Sequence, residues 1–296
     1  MTKFSFSGHE SFICKQFWLK KGVDFLLQEE NSFTSDEAVV RLGVGKNMVR
    51  SIRFWLRAFG ITDDNDELQD IGRYIFLDNG TDPYIESIGS TWLLHYLLIS
   101  TNKASIYSLL FNDFRRVRPE FKVEQLQNYI ARICKEGSPS SYNENTVKRD
   151  IRVMLNSYLP PSISKRSEIE DSFSGLLYEV RLVGQKSKFD LLREEKVTYY
   201  IIESDFRDTL PCEIVLYSIL DNPNFGRTIT FQDLYSSPNS PGNIFALNQD
   251  GLYEKIVQIL EKFPECSYSE TAGNKVLQIS SKLTDKYQVL DAYYNQ

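Results

Sequence analysis

Between Arg41 and Arg57 the chain carries no acidic residue, and this same stretch has the pattern of an amphipathic helix entered through a glycine turn. Thr34, Ser35, Asp36 and Glu37 supply an N-cap and a negative first turn for a short helix over 38–42. Gly43, Val44 and Gly45 make a tight turn, and residues 46–59 run as a longer helix closed by Gly60. At about 100° per residue, Lys46, Arg50, Arg53 and Arg57 fall within about 60° of one another, with Val49, Ile52, Trp55, Leu56 and Phe59 on the other side. Short helix, glycine turn and longer basic helix is the helix-turn-helix order, whose second helix is the one offered to a DNA groove. Four like charges on one face repel unless an anion meets them, whereas a merely solvated face mixes signs. The face therefore predicts nucleic-acid contact by Lys46, Arg50, Arg53 and Arg57, with Asn47 in reach of a base edge or a phosphate.

The formal charge of −6 conceals a segregation by sign. Residues 1–60 hold nine Lys/Arg against six Asp/Glu, 61–110 two against eight, 111–166 eleven against six, and 167–296 twelve against twenty. The second basic block opens with Arg115, Arg116 and Arg118, continues as a helix over 123–135 and breaks at 136–141. A second candidate recognition helix follows from an Asn143 or Asn145 cap. It turns Val147, Ile151, Met154, Leu155 and Tyr158 inward and Lys148, Arg149 and Arg152 outward until Pro160 and Pro161 stop it. For Arg115, Arg116, Arg118, Lys148, Arg149 and Arg152, DNA contact and pairing with the acidic segments are equally open.

Residues 84–114 read as helical core, with His95 as a hydrogen-bonded interior histidine. The acidic turn at 63–66 leads into residues 67–77, either the hairpin of a wing or a helix. Strand character marks 176–183 and 197–202 around a charged turn at 184–188. Helices are expected at 211–220, 230–235 and 250–263, and late strands at 275–280 and 287–290. The helix at 250–263 mixes Glu254 and Glu261 with Lys255 and Lys262, which suits a protein contact better than phosphate. The expected fold is mainly α with small β-hairpins or wings, in tandem winged-helix-like (helix-turn-helix) units. The units are a DNA-binding helical domain over 1–160, a β-containing connector over 161–210 and a winged-helix-like domain over 211–296.

Several classes are excluded. No apolar run approaches 18 residues, the richest being 92–99 with His95 inside it, so a membrane span is not expected. Cys14, Cys134, Cys212 and Cys266 lie far apart, as in a reduced cytoplasmic protein, and two histidines cannot build a multi-histidine zinc site. Any metal would sit on carboxylates, Mg²⁺ or Mn²⁺ being the class. Gly45 and Lys46 lack the upstream glycine spacing and following hydroxyl of a phosphate-binding loop, which argues against ATP hydrolysis.

For cutting a phosphodiester, His9 and Glu10 are the one ready acid–base pair, placed after Ser7 and Gly8 in a segment suited to a turn. The alternative is that they fix the N-terminal segment by hydrogen bonds. Asp171 with Glu194, Glu195 and Lys196 is a formal restriction-type nuclease pattern, and Glu179–Val180–Arg181 a degraded one. Such short strings arise by chance in a charged chain, and the alternative for both is a solvated strand edge.

Several strings together carry a family resemblance: residues 6–12 (Phe6-Ser7-Gly8-His9-Glu10-Ser11-Phe12), 18–22, 38–49 with Ile52, Trp55 and Leu56, and 240–247. The chain resembles the SspB-like family that accompanies bacterial genes for single-strand (Ssp) DNA phosphorothioation. The resemblance implies a cytoplasmic protein of an anti-phage system. It implies DNA, a cysteine desulfurase and ATP-using sulfur-transfer proteins as partners, and a nicking role that opens one strand for sulfur insertion. The rival expectation is a non-catalytic adaptor whose acidic C-terminal half docks the modification enzymes. In a third, the basic blocks only complement the acidic ones.

Overall fold

In the computed structural model, which describes residues 4–28, 31–137, 142–160, 175–190, 194–271 and 273–295, helices gather around one fully buried rod. The helices α1 (Trp18–Leu27), α2 (Ala38–Leu42) and α3 (Lys46–Ala58) pack together, and α4 (Asp70–Phe76) closes on α1. The rod is α5 (Ile88–Ser100), capped by the Ser87 side chain, which accepts from Gly89 N–H; Gly89 to Ile99 are all buried. A helix apolar all round has no solvent face and so sits at the centre of a core. Next, α6 (Ser105–Ser108) passes through a π-helical turn (Leu109–Phe114) into α7 (Arg115–Val117).

One order then occurs twice. First come β1 (Glu120–Phe121), α8 (Val123–Gly137), α9 (Glu144–Tyr158), β2 (Gly184–Asp190) and β3 (Glu195–Ile201), with antiparallel sheet order β1-β3-β2. After α10 (Cys212–Asp221) come β4 (Thr228–Thr230), α11 (Phe231–Ser236), α12 (Pro241–Ile244), α13 (Gln249–Lys262), β5 (Cys266–Thr271) and β6 (Asn274–Ile279), in the order β4-β6-β5. In each set a short strand precedes the helices and a hairpin follows them, the hairpin's second strand lying between the other two. The fold is thus mainly α with two small antiparallel sheets.

The last helix, α14 (Lys286–Tyr294), packs on α10 and returns to the N-terminal part, where Tyr74 Oη donates to Asp291 Oδ1 at 2.7 Å. Residues from Cys14 to Leu290 share one buried apolar cluster. Contacts cross the chain elsewhere too: Asn112 Nδ2 donates to Asn239 Oδ1, and Asn239 N–H returns a bond to Asn112 Oδ1, both at 2.8 Å.

Two local expectations are corrected and one open alternative is settled. Residues 287–290 are helical, because Asp285 accepts from Tyr287 N–H and the buried Val289 and Leu290 sit one step apart on the face that packs on α10. Residues 176–183 hold a 3-10 turn (Tyr178–Val180), with Arg181 at φ 49°, and the strand lies in the supposed turn. Gly184 pairs with Ile201 through to Asp190 with Glu195, and Lys186 and Lys188 reach Glu120 on β1. Pairing with a neighbouring strand outweighed intrinsic β preference. Residues 70–76 resolve the open alternative as helix α4, preceded by a lone Thr62–Leu68 bridge.

Candidate nucleic-acid interface

The position of α3 is set by its buried side. Gly43, at φ 62°, turns its N–H back to the carbonyls of Val39 and Val40 and ends α2, and the extended Gly45 starts α3. Val49, Ile52, Trp55, Leu56 and Phe59 are buried as their spacing predicts. The first helix approaches so closely that a Cβ on Gly22 would stand 2.7 Å from Leu56 Cδ1.

On the outer side the four cations differ. Lys46, Asn47 and Arg50 are exposed. Arg53 and Arg57 close instead on Asp66, with Nη2 of each 2.8 Å from a carboxylate oxygen and each Nε donating as well. Arg57 Nη2 also donates to Asp64 O at 2.7 Å, while Lys103 holds the Asp64 carboxyl below its usual range through a 2.6 Å bond. The acidic turn after α3 therefore neutralises half of the basic face. Arg50 has Glu10 at 3.8 Å, and Lys46 makes no ion pair among the described residues. A groove of about 520 Å³ runs beside them, walled by Gly8, Thr34, Ser35, Lys46, Arg50 and Phe54 among others.

The Ser7 to Ser11 loop packs against this helix in an unusual backbone. Ser7, Gly8, Glu10 and Ser11 all have positive φ, from 48° to 104°, and a Cβ on Gly8 would run into the Phe54 ring. Strained runs of this kind persist only where the surroundings over-determine them. Here His9 does so. Its Nε2 lies 2.9 Å from Asp150 Oδ1 on α9, and Asp150 Oδ2 accepts from Ser7 N–H at 2.7 Å. Ser11 N–H donates to His9 Nδ1 at 3.1 Å, so Nδ1 carries the lone pair and Nε2 the proton given to Asp150. His9 O accepts from Ser51 Oγ at 3.0 Å. Both ring nitrogens are thus engaged and the residue is 4% exposed, which leaves no nitrogen free to take a substrate proton. Glu10 is partly exposed, its Oε1 3.8 Å from Arg50 Nη1.

This loop brings the two basic helices together, which sequence spacing did not reveal. Glu10 reaches Arg50 on α3, while His9 and Ser7 hold Asp150, whose neighbours on α9 are Arg149 and Arg152. Lys148, Arg149 and Arg152 are exposed, and none makes an ion pair among the described residues. Asp150 itself was missed, because an acid inside a basic stretch reads as a solvated charge.

Arg115 is corrected. At 4% exposure it lies away from any surface a duplex reaches, its Nε and Nη2 donating to the carbonyls of Gly242 and Asn243. Arg116 is exposed and donates to Ser236 O at 3.0 Å. His95 is interior as expected: Nε2 donates to Ile244 O and Nδ1 accepts from Tyr158 Oη, both at 2.8 Å, and burial pushes its pKa down to about 3. Asp171 lies outside the described residues. Glu195 and Lys196 stand on β3 opposite Asp190 and Phe189, and Glu179 and Arg181 belong to the 3-10 turn.

Residues 6–294 match a family described as a protein of unknown function, DUF4007. This chain belongs to the DUF4007 family. Two crystal structures resemble this DUF4007 protein over 98% of its length and 88% of theirs. They are magnesium ion-bound SspB, 27% identical with a TM-score of 0.82, and SspB, 28% identical with a TM-score of 0.81. The match to SspB-like proteins that residues 6–247 suggested therefore extends over nearly the whole fold. No curated protein sequence matches the chain. Among the described residues, no helix is long and apolar enough to cross a membrane. Nor do three His, Cys, Asp or Glu side chains among them converge to hold a metal ion.

Proposed function

We propose that this DUF4007 protein is the DNA-engaging component of a bacterial DNA phosphorothioation system and that it nicks one strand to admit the sulfur-transfer enzymes. Its likeness to SspB along the whole chain supports the system assignment. The observation that carries DNA engagement is on α9, where Lys148, Arg149 and Arg152 stand exposed without acidic partners. Strand, helix, helix and hairpin, with the sheet ordered β1-β3-β2, is the order of a winged-helix unit, which makes α9 the recognition helix and β2–β3 the wing. The hairpin carries Lys186, Lys188 and Lys196. The set β4 to β6 repeats the order, and α13, with its mixed charges, is the face for a partner protein. Lys46, Asn47 and Arg50 extend the DNA surface of α9 across the Ser7–Ser11 loop. Such cations position a duplex through its phosphates.

The test is conversion of supercoiled plasmid to open circle by the purified protein, with and without Mg²⁺ or Mn²⁺, beside a gel shift on the same DNA. Open circle formed by wild type and lost in a Lys148→Ala/Arg149→Ala/Arg152→Ala variant supports the proposal. A shifted band without open circle supports the second reading, a non-catalytic adaptor. That reading is favoured by one observation: both nitrogens of His9 are spent on protein partners. No shift at all removes DNA engagement.

A further inference from the structure

The 240–247 string, used above only for resemblance, closes a second and separate site. The carbonyls of 242–246 are all claimed: Gly242 and Asn243 by Arg115, Ile244 by His95, Phe245 by Arg207 and Ala246 by Asp205 N–H. Beside them opens a cavity of about 540 Å³, walled by Arg115, Arg116, Ser204, Tyr235 and Asn243 among others. That volume lies in the range of small-ligand pockets.

The charge in this cavity is only partly compensated: two arginines meet one carboxylate in the wall, Glu203, with Asp113 acting on Arg116 from outside it. Arg115 is 4% exposed, yet neither it nor Arg116 makes an ion pair among the described residues. Buried cations are ordinarily matched by an acid, because carbonyl dipoles replace only part of the lost hydration. Burial, and then repulsion by Arg207 and more weakly by Arg116, pushes the Arg115 guanidinium down to about 10. Asp205 and Glu203 act on Arg207, and Glu203 is the one carboxylate in the wall, unpaired with either arginine of the cavity. Of the five N–H groups of Arg115, Nε uses one, Nη2 both and Nη1 one, on Ser204 Oγ at 3.1 Å. One Nη1 proton is left over.

We propose that this cavity binds a phosphate monoester, the terminal phosphate of a nucleotide, between Arg115 and Arg116 with Ser204 and Tyr235 as hydroxyl donors. The remaining Nη1 proton of Arg115 and the guanidinium of Arg116, which gives one bond to Ser236 O, are charge-assisted donors of the kind that hold a phosphate dianion. Arg115 is itself buried, so the donor it offers is reached by a phosphate that enters the cavity rather than by one lying along an outer surface. This site is independent of α3 and α9, so it stands or fails apart from the DNA surface.

The experiment titrates the full-length protein calorimetrically with deoxyadenosine 5′-monophosphate, with inorganic phosphate and with deoxyadenosine. Saturable binding of the first two and none of the third is expected. Arg116→Gln, on the exposed side of the cavity, should weaken deoxyadenosine 5′-monophosphate about tenfold at unchanged melting temperature. Tyr235→Phe provides a second variant that preserves packing, whereas Arg115→Gln also releases two backbone carbonyls. Competition by a 5′-phosphorylated oligonucleotide, but not by its unphosphorylated twin, assigns the phosphate to a DNA end. Failure of both to compete assigns it to a free nucleotide. No saturable binding of either phosphate compound overturns the proposal, as does equal affinity of wild type and Arg116→Gln. The Lys148/Arg149/Arg152 variant should bind deoxyadenosine 5′-monophosphate as wild type does.

Discussion

His9 and Asp150, 141 positions apart in the chain, meet with Nε2 2.9 Å from Oδ1, each 4% exposed. The pair fixes a strained loop on α3 to α9, and so sets how the two basic helices stand to one another. Of the two roles the sequence left to His9, acid–base chemistry and fixing the N-terminal segment by hydrogen bonds, these contacts are those of the second.

Removing the pair should therefore cost stability. Asp150→Ala strands the buried Nε2–H of His9 and removes the acceptor of the exposed Ser7 N–H, a loss of about 2 kcal/mol by urea unfolding. His9→Ala should cost a similar amount, and the double variant less than the sum of the two. An Asp150→Ala protein as stable as wild type would refute the assignment.

Asp66 holds Arg53 and Arg57 away from any external anion. Asp66→Ala frees both, so DNA affinity at low salt should rise and the slope of log K against log[salt] should steepen by about two counterions. Fluorescence anisotropy over a salt series measures this. An unchanged slope would mean that the C-terminal half of α3 does not face DNA.

Alanine at Lys148, Arg149 and Arg152 should act in the opposite direction. If each contacts one phosphate, the salt slope falls by about three counterions, with little change in unfolding midpoint because all three side chains are exposed. A loss confined to one DNA sequence, at constant slope, would point to base contact instead.

His95 provides a pH signature. Its folded pKa is pushed down to about 3 by burial, below the 6.5 of an unfolded histidine. The unfolded chain therefore binds the extra proton first, and the contribution present above pH 6.5 is lost as pH falls toward 3. Between pH 7 and pH 5 wild type should lose about 2 kcal/mol more than His95→Gln. Parallel losses in both proteins would show that His95 is not kept neutral.

The α3 helix was legible from sequence because its information is local. Period 3.6, Gly43 at the turn and the apolar stripe of Val49, Ile52, Trp55 and Leu56 all lie within twenty residues, as does the sign of the outer face. The same holds for the cap at Asn143, for α9 and for the helical core around α5. Strand placement failed at 176–190 because a strand is defined by its partner, and β2 is a strand through its register with β3, at a position where charge and glycine suggested a turn. The helix at 286–294 was missed for a related reason: four residues of apolar pattern do not separate helix from strand until α10 supplies the surface to pack on.

What the sequence alone determined is which elements are basic and which residue types were available for chemistry. Only the tertiary structure decided which of those charges are free. Asp66 reaches back to Arg53 and Arg57 across the Gly60 turn, Asp150 arrives at His9 from 141 residues away, and Arg115 is drawn inward by the carbonyls of 242 and 243. Charge is carried by a residue, whereas its compensation depends on distance and burial, and the folded chain alone sets both.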